Sequence, residues 1–396
     1  MNIYADNAAT TKMSRRAIET MLPYMDKIYG NPSAVHKAGQ QAAKALWNAR
    51  ETVADLLGAS PKEIYFTSGG SEADNQAILS AACIGAGKGK KHIISTAFEH
   101  HAVLHTLEKL KNQGFDIELL PVGREGTVTA EQVNNAIRED TCLVTVMYAN
   151  NEIGSVLPIG EIGSVCRERN VLFHTDAVQA AGHLNIDVKK QNIDMLSLSA
   201  HKFHGPKGVG ALYAKKGISL VSMINGGAQE KGKRAGTENV PAIMGMAEAL
   251  KESVLNMEES AVKVSALRDK LINGLSRIPH SAFNGDGKNH LPGNVHFCFE
   301  GIDTESLLLL LDTKGICASA GSACTSGSLK PGHVLLAIGY PNEISYGSLR
   351  LSLCRWNTEA EVDYMIAEIP KVVEYLRNMS PLWRDKVRGK KAFFLK

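Results

Sequence analysis

Lys202 stands in the run Ser199-Ala200-His201-Lys202-Phe203-His204-Gly205-Pro206, directly after the apolar, strand-length segment Met195–Ser199. An amine at a strand end is suited to condense with an aldehyde, because partial burial lowers a lysine's pKa and frees the base. Ser199 and His201 offer a hydroxyl and an imidazole to an anion such as phosphate. An aldehyde and a phosphate on one ligand describe pyridoxal phosphate, which needs a lysine to hold it as an imine and an acid at its pyridine nitrogen. Taken alone, Ser-x-His-Lys is more simply a surface lysine at the end of a strand, so the rest of the chain decides.

Asp176 follows the strand-like Val171–His174, at the end where open α/β sheets bind ligands. A carboxylate there pairs with a protonated pyridine nitrogen or caps a helix over Ala177–Ala181. Gln179, three residues on, reaches a ring oxygen or faces solvent. Thr67-Ser68-Gly69-Gly70-Ser71-Glu72-Ala73-Asp74-Asn75 lies between a strand and a helix. Its glycines allow close backbone approach and the helix start offers N–H groups to an anion, while Ser71-x-x-Asp74 also reads as an ordinary capping box. His101 and His105 have metal-pair spacing without a third ligand nearby. An imidazole stacked on a cofactor ring is the better functional reading of this group.

A second element of chemical interest is a cysteine. Apart from Cys324 itself, every residue from Ala318 to Ser328 is Gly, Ala, Ser or Thr. Structural cysteines hide among large apolar neighbours, as expected for Cys142 and Cys298, and Cys317 in Gly315–Ala318 is expected to be buried too. A thiol on a loop of small residues is instead expected to be exposed and mobile, as suits a travelling nucleophile.

The elements that must position these groups follow from periodicity. Short β-rich runs alternate with helical ones: Ile64–Thr67 and Glu72–Ala82, His92–Thr96 and Ala102–Lys111, Ile117–Val122 and Ala130–Ile137, Leu143–Tyr148 and Ile159–Arg169. Val171–His174, Met195–Ser199 and Val209–Tyr213 then complete a mostly parallel sheet covered on both faces. One long helical region is expected over Pro241–Ile278. After it, strands Asn294–Phe299 and Tyr346–Leu353 and helices Thr304–Asp312 and Glu359–Arg377 make a smaller α+β unit, with a capping box at Thr358-x-x-Glu361.

At 396 residues the chain is long enough for two or three domains. Its 44 basic and 41 acidic side chains leave a net charge of +3, too balanced for nucleic acid to be the main partner. No apolar run approaches the ~20 residues that cross a bilayer, and the N-terminus lacks the blocks of a secretion signal. The seven cysteines are scattered, without a Cys-x-x-Cys pair, which fits a reducing, cytoplasmic compartment.

Together these residues closely resemble the NifS/IscS-type cysteine desulfurases, pyridoxal-phosphate enzymes of fold type I in the class-V aminotransferase family. The shared motifs begin at Asp6-Asn7-Ala8-Ala9-Thr10-Thr11 and include Glu99-His100, Asn150-Asn151-Glu152-Ile153-Gly154, Asp176-Ala177-Val178-Gln179, Arg234-Ala235-Gly236-Thr237 and Gly321-Ser322-Ala323-Cys324-Thr325-Ser326. The resemblance implies a large domain over 15–256 with a seven-stranded, mostly parallel sheet. It implies a small domain over 1–14 and 257–396 that carries the cysteine loop, about 318–330.

Lys202 then resembles the imine lysine, Asp176 the pyridine-nitrogen partner, Gln179 the ring-oxygen ligand and His100 the stacking imidazole. Gly70, Ser71, Ser199 and His201 look like phosphate binders, and Thr237 like the phosphate contact that the family supplies from the other subunit of a homodimer. Asn151, also beside the cofactor, and Arg350 resemble the groups that hold the substrate carboxylate. Cys324 resembles the cysteine that takes the sulfur of L-cysteine as a persulfide. No resident metal is implied, though Cys324 is a candidate transient ligand to an iron–sulfur cluster on a scaffold partner. The longer Ser-x-x-Cys loop is that of the first desulfurase group; the Arg-x-Gly-His-x-Cys pattern of the second is absent. The tail after Trp383 departs from the familiar one, so the sulfur acceptor, an iron–sulfur scaffold or another protein, is the loosest part of the reading. An aminotransferase or ordinary β-lyase has no use for Cys324, and a non-catalytic scaffold has none for Lys202.

Overall fold

The computed structural model describes residues 2–321 and 332–395, so Cys324 lies outside the described residues. Among the described residues, twelve strands run in chain order: β1 Ile3–Tyr4, β2 Ile64–Thr67, β3 His92–Thr96, β4 Asp116–Leu120, β5 Thr141–Thr145, β6 Leu172–Asp176, β7 Met195–Ser199, β8 Gly210–Ala214, β9 Ser281–Phe283, β10 Asn294–Phe299, β11 Ile316–Cys317 and β12 Ser348–Ser352. Strands β2 to β8 form one sheet in the order β2-β8-β7-β6-β5-β3-β4. Neighbours from β7 through β4 are parallel, and only β8 runs antiparallel, to both β7 and β2. Strands β5, β7 and β8 are buried along their whole length, the pattern of strands covered on both faces.

The first six helices are α1 Arg15–Asp26, α2 Lys37–Leu57, α3 Gly70–Ala86, α4 His101–Lys111, α5 Ala130–Ala136 and α6 Ile159–Glu168. Helix α3 begins one residue after Gly69, so Ser71 sits in its first turn and is not its cap. Glu72 closes that end instead, accepting the Ser68 N–H at 2.8 Å. Asp74 is thereby released from capping and turns inward on the buried face that it shares with Ala77, Ile78 and Ala81. The helix expected over Pro241–Ile278 is two helices, Val240–Leu255 and Met257–Leu275, interrupted at Asn256, whose side chain bonds back to the Glu252 carbonyl. Such local side-chain bonding competes with helix continuation.

A second core lies around the antiparallel sheet β12-β10-β9, where Leu271, Phe297, Phe299, Leu351, Met365 and Ile369 are buried together. Ile3 and Ala5 belong to this core as well, because β1 pairs in parallel with β11. The chain therefore starts in the second core, crosses to the large sheet and returns. The helix Glu359–Met379 has the expected capping box at Thr358 and Glu361. Cys142 and Cys298 are buried as expected, but Cys317 is only half-buried, since the two-stranded β1–β11 pair covers it on one edge alone.

Candidate active site

The C-terminal ends of β6 and β7 and the start of α3 open onto a cavity of about 320 Å³, the position at which parallel sheets bind ligands. Gly70, Ser71, His100, Asn151, Asp176, Gln179, Ser199, His201, Lys202 and Arg350 all line it, in company with Ala8, Ala9, Asp74, Met147 and Val178. Thr237 does not; it is exposed and lines a separate hollow with Ser68, Gly208 and Arg234.

Lys202 ends the short turn Ala200–Lys202 after β7. Its Nζ donates to the carbonyls of Ala8 at 2.6 Å and Ala9 at 2.9 Å, so the N-terminal segment forms one wall of the site. Gln179 Nε2 donates to the same Ala8 carbonyl at 3.0 Å, which keeps its side chain in the cavity and out of solvent. His201 Nδ1 meets Thr10 Oγ1 at 3.1 Å. Burial, with the charges of Lys202 and Lys207 beside it, pushes the His201 pKa down to about 4.

Asp176 is the last residue of β6, opposite Ser197 in the register with β7. Its Oδ1 accepts the Val178 N–H at 2.9 Å, so it closes a tight turn as well as facing the cavity. Asp74, His100 and Asp176 bring one ligand atom each within 4.8 Å of one another. Burial raises both carboxyl pKa values; the charge of Asp176 raises Asp74 further, whereas the Val178 N–H and Lys202 draw Asp176 back. Asp176 is thus the member that ionises and Asp74 the one that keeps its proton. Beneath them His174 bonds to Thr145 and Ser197, and full burial pushes its pKa down to about 3.

His100 caps α4: its Nδ1 accepts the Ala102 N–H at 3.1 Å. Burial first, then Lys202, His101 and His105, pushes its pKa down to about 4. The ring is neutral at pH 7 and, with Nδ1 accepting, carries its proton on Nε2.

Arg350 enters from β12. It donates to the Asn151 carbonyl at 3.1 Å and pairs with Asp6 at 3.0 Å, while its Nε has no hydrogen-bond partner among the described residues. Glu152 is buried nearby; desolvation raises its pKa to about 8 although Arg350 pulls the other way. A Cβ on Gly321 would collide with Glu152 Oε2, so this glycine permits the close approach. Backbone bonds between Ser319 and Arg350 fix the same strand end. On the far side of the 322–331 segment, His333 Nε2 donates to the Glu99 carbonyl at 2.8 Å, next to His100. Of the described residues flanking Cys324, Ser319 is thus bonded to Arg350 and His333 to the residue before His100.

The cavity suits a phosphorylated pyridine aldehyde. It sets an amine and a buried carboxylate beside a helix N-terminus at which Gly70 packs so tightly against Val178 that a Cβ would lie 2.5 Å from Val178 Cγ2. Asp74 in the cavity lining, and Asp6 and Glu152 beside Arg350, were given no role in the site by residue patterns. For Asp74 a signal exists: it is an acid on the otherwise apolar face of α3 that carries Ala77, Ile78 and Ala81.

A fold of this kind, with an amine and a carboxylate at adjacent strand ends, defines a pyridoxal-phosphate-dependent class. The family model "Aminotransferase class-V" matches residues 3–365, and the chain belongs to this family. Among curated relatives, a cysteine desulfurase IscS of Methanosarcina thermophila is 53% identical over 380 residues, 96% of this chain and 94% of that protein. One from Clostridium botulinum is 52% identical over 391 residues, 98% of each. A solved NifS-like protein superposes with a TM-score of 0.89 at 39% identity, covering 95% of this chain and all of the other. A structure described as SspA in complex with cysteine gives 0.80 at 37% identity, over 90% of this chain and 99% of that one.

Proposed function

We propose that the protein is a cysteine desulfurase that converts L-cysteine to L-alanine and leaves the sulfur on Cys324 as a persulfide. The observation that carries this is the convergence of Lys202, Asp176 and Arg350 on one cavity, with the described residues on either side of the Cys324 segment bonded to Arg350 and to Glu99 beside His100. Relatives named cysteine desulfurase at about half identity over nearly the whole chain support it.

Pyridoxal phosphate would be held by Lys202, Asp176 and Gln179, with Gly70, Ser71, Ser199 and His201 at its phosphate, and supplies an aldehyde for amine capture and a ring that accepts electrons from the substrate α-carbon. Lys202 Nζ, in the same cavity, is the base that would move protons at the substrate α-carbon. His100 presents an Nε2–H to the same space. Arg350 and Asn151 orient the substrate carboxylate, and Asp6 anchors the Arg350 guanidinium through its Nη2. The Cys324 thiolate attacks the substrate sulfur: a sulfur–sulfur bond forms, the substrate Cβ–S bond breaks, and a proton completes alanine. Cys324 follows Gly321 by three residues, ~10 Å of chain at most.

The large domain spans 15–256 and the small domain 1–14 with 257–396. Two copies form a homodimer in which each site takes Thr237 from the partner; the exposure of Thr237 outside its own cavity favours this arrangement. The persulfide passes to an iron–sulfur scaffold or another thiol acceptor in the cytoplasm. The test is to incubate the purified protein with L-cysteine and measure alanine together with mass gained by the Cys324 peptide. Alanine without an added sulfur on that peptide would reject the persulfide reading.

A further inference from the structure

Thr237 projects from a segment whose backbone is held in an unusual way. Glu230 and Lys231 both adopt positive φ angles, 46° and 58°, a conformation that side-chain-bearing residues rarely take. Two such residues in succession persist only where the surroundings over-determine them. Here the surroundings are a buried ion pair. Arg50 of α2 meets Glu230 with two parallel contacts of 2.7 Å, and both residues are about 95% shielded from solvent.

The pair is locked to β2 on both sides. Arg50 also donates to the Ile64 carbonyl at 2.6 Å and lies over the Phe66 ring, and Glu230 accepts the Phe66 N–H at 3.1 Å. Further along, Arg234 pairs with Glu72 at 3.0 Å, and Gln76 donates to the Lys233 carbonyl at 2.7 Å. The segment is thus pinned to β2 and to α3, whose first turn forms the cavity wall; Gly236 donates its N–H to Gln229 Oε1 at 3.1 Å, and Thr237 next to it is exposed.

A buried ion pair is a poor device for stability alone, since apolar replacements of equal volume are often as stable. What a fork-to-carboxylate pair supplies is orientation. We infer that the Arg50–Glu230 pair is a positioning device: it sets the strained turn that presents Thr237 to the phosphate site of a second copy of the chain. This rests on the shared-site reading proposed above.

The test separates action on the partner's site from action on a chain's own site. Chains carrying Glu230→Gln are co-expressed with Lys202→Ala chains, and the doubly tagged heterodimer is isolated. Cofactor is titrated in and fixed with borohydride, so that only the site containing Lys202 is counted. That site lies in the Glu230→Gln chain but receives Thr237 from the partner, whose Arg50–Glu230 pair is intact. The Glu230→Gln homodimer should bind cofactor roughly tenfold to a hundredfold more weakly than wild type, the worth of one hydrogen bond to a charged acceptor. The heterodimer should return to wild-type affinity. A homodimer as tight as wild type, or a heterodimer as weak as the homodimer, overturns the inference. If Glu230→Gln chains do not fold, Arg50→Lys, which keeps the charge and loses the fork, takes their place under the same criteria. Thr237→Ala chains run in parallel: if their heterodimer with Lys202→Ala stays weak, it is the sharing of Thr237 that fails, not the positioning of it.

Discussion

Asp74 and Asp176 hold their carboxyl oxygens within 4.8 Å of each other on the floor of the cavity, one from the second turn of α3 and the other from the tip of β6. Two full charges at that spacing would repel by about 3 kcal/mol even at an effective dielectric constant of ~20, so the pair shares a proton at neutral pH. Asp176, with the Val178 N–H and Lys202 beside it, takes the charge.

This assignment predicts unequal effects of two conservative changes. Asp176→Asn removes the charge and should lower kcat by roughly a hundredfold or more, as loss of a buried electrostatic partner does. Asp74→Asn keeps the shape of a protonated acid and should cost no more than about tenfold, near the worth of one hydrogen bond. Steady-state alanine formation decides. Equal losses, or a larger loss for Asp74→Asn, would reverse the roles.

Lys202 is expected to be the single attachment point of the cofactor. The purified protein should be yellow, and borohydride should fix the cofactor to the Lys202 peptide. Lys202→Ala should lose the covalent link while keeping its circular dichroism spectrum. Label on Lys207, an exposed lysine five residues away, would overturn the assignment.

Cys324 and Cys317 provide a matched pair. Cys324→Ser should bind cofactor and cysteine yet release almost no alanine, because a hydroxyl of ordinary basicity is too weak a nucleophile to accept the sulfur. Cys317→Ser should stay active: although half-buried, Cys317 sits in β11 against β1 and lines none of the catalytic cavity. Alanine per site, with the mass of the Cys324 peptide, checks both. Normal turnover by Cys324→Ser would exclude a persulfide mechanism.

Glu152 makes stability depend on pH in a defined direction. Burial raises its pKa from 4.5 to about 8. A folded state that binds the proton more tightly is favoured at low pH, and the contribution is lost as pH rises through the folded value. Glu152→Gln removes this titration, so the melting temperature gained by the variant should be larger at pH 8.5 than at pH 5.5. The full shift corresponds to roughly 4–5 kcal/mol as an upper bound, which places the extra gain at a few degrees. Thermal unfolding of cofactor-free protein at the two pH values provides the measurement, and a gain that is greater at pH 5.5 contradicts the argument.

Strand identity was readable from local pattern even where buried polar residues interrupt the apolar run: β2, β3, β7 and β10 fall on the expected residues. Helix α3 and the helix pair around Asn256 were misjudged at their ends, because capping is decided by competition among nearby groups. Ser71 and Asp74 satisfy a capping pattern, but Glu72 reaches the free Ser68 N–H first. Lys202, Asp176 and His100 were legible because each ends or opens an element, and Gln179 because it follows Asp176 in the turn after β6. Asp6 and Glu152 were not, since their partners lie far away in the chain: Arg350 is paired with Asp6 across 344 positions. The Ala8 and Ala9 carbonyls that receive Lys202 lie 194 and 193 positions from it and carry no side-chain signature at all.

The N-terminal wall of the cavity has a bearing on how the protein is made. Asn7 donates to the Ser352 carbonyl at 2.8 Å, and β1 finds its partner only in β11. During synthesis residues 3–7 leave the ribosome long before Ile316 or Ser352 exists, so they wait without these partners while the large sheet assembles. Contacts of such sequence separation are the slowest to form. The anchoring of the lysine pocket is accordingly among the last parts of the molecule to form, and a nascent chain stalled before residue 316 would hold Lys202 beside a wall whose outer end is not yet fastened.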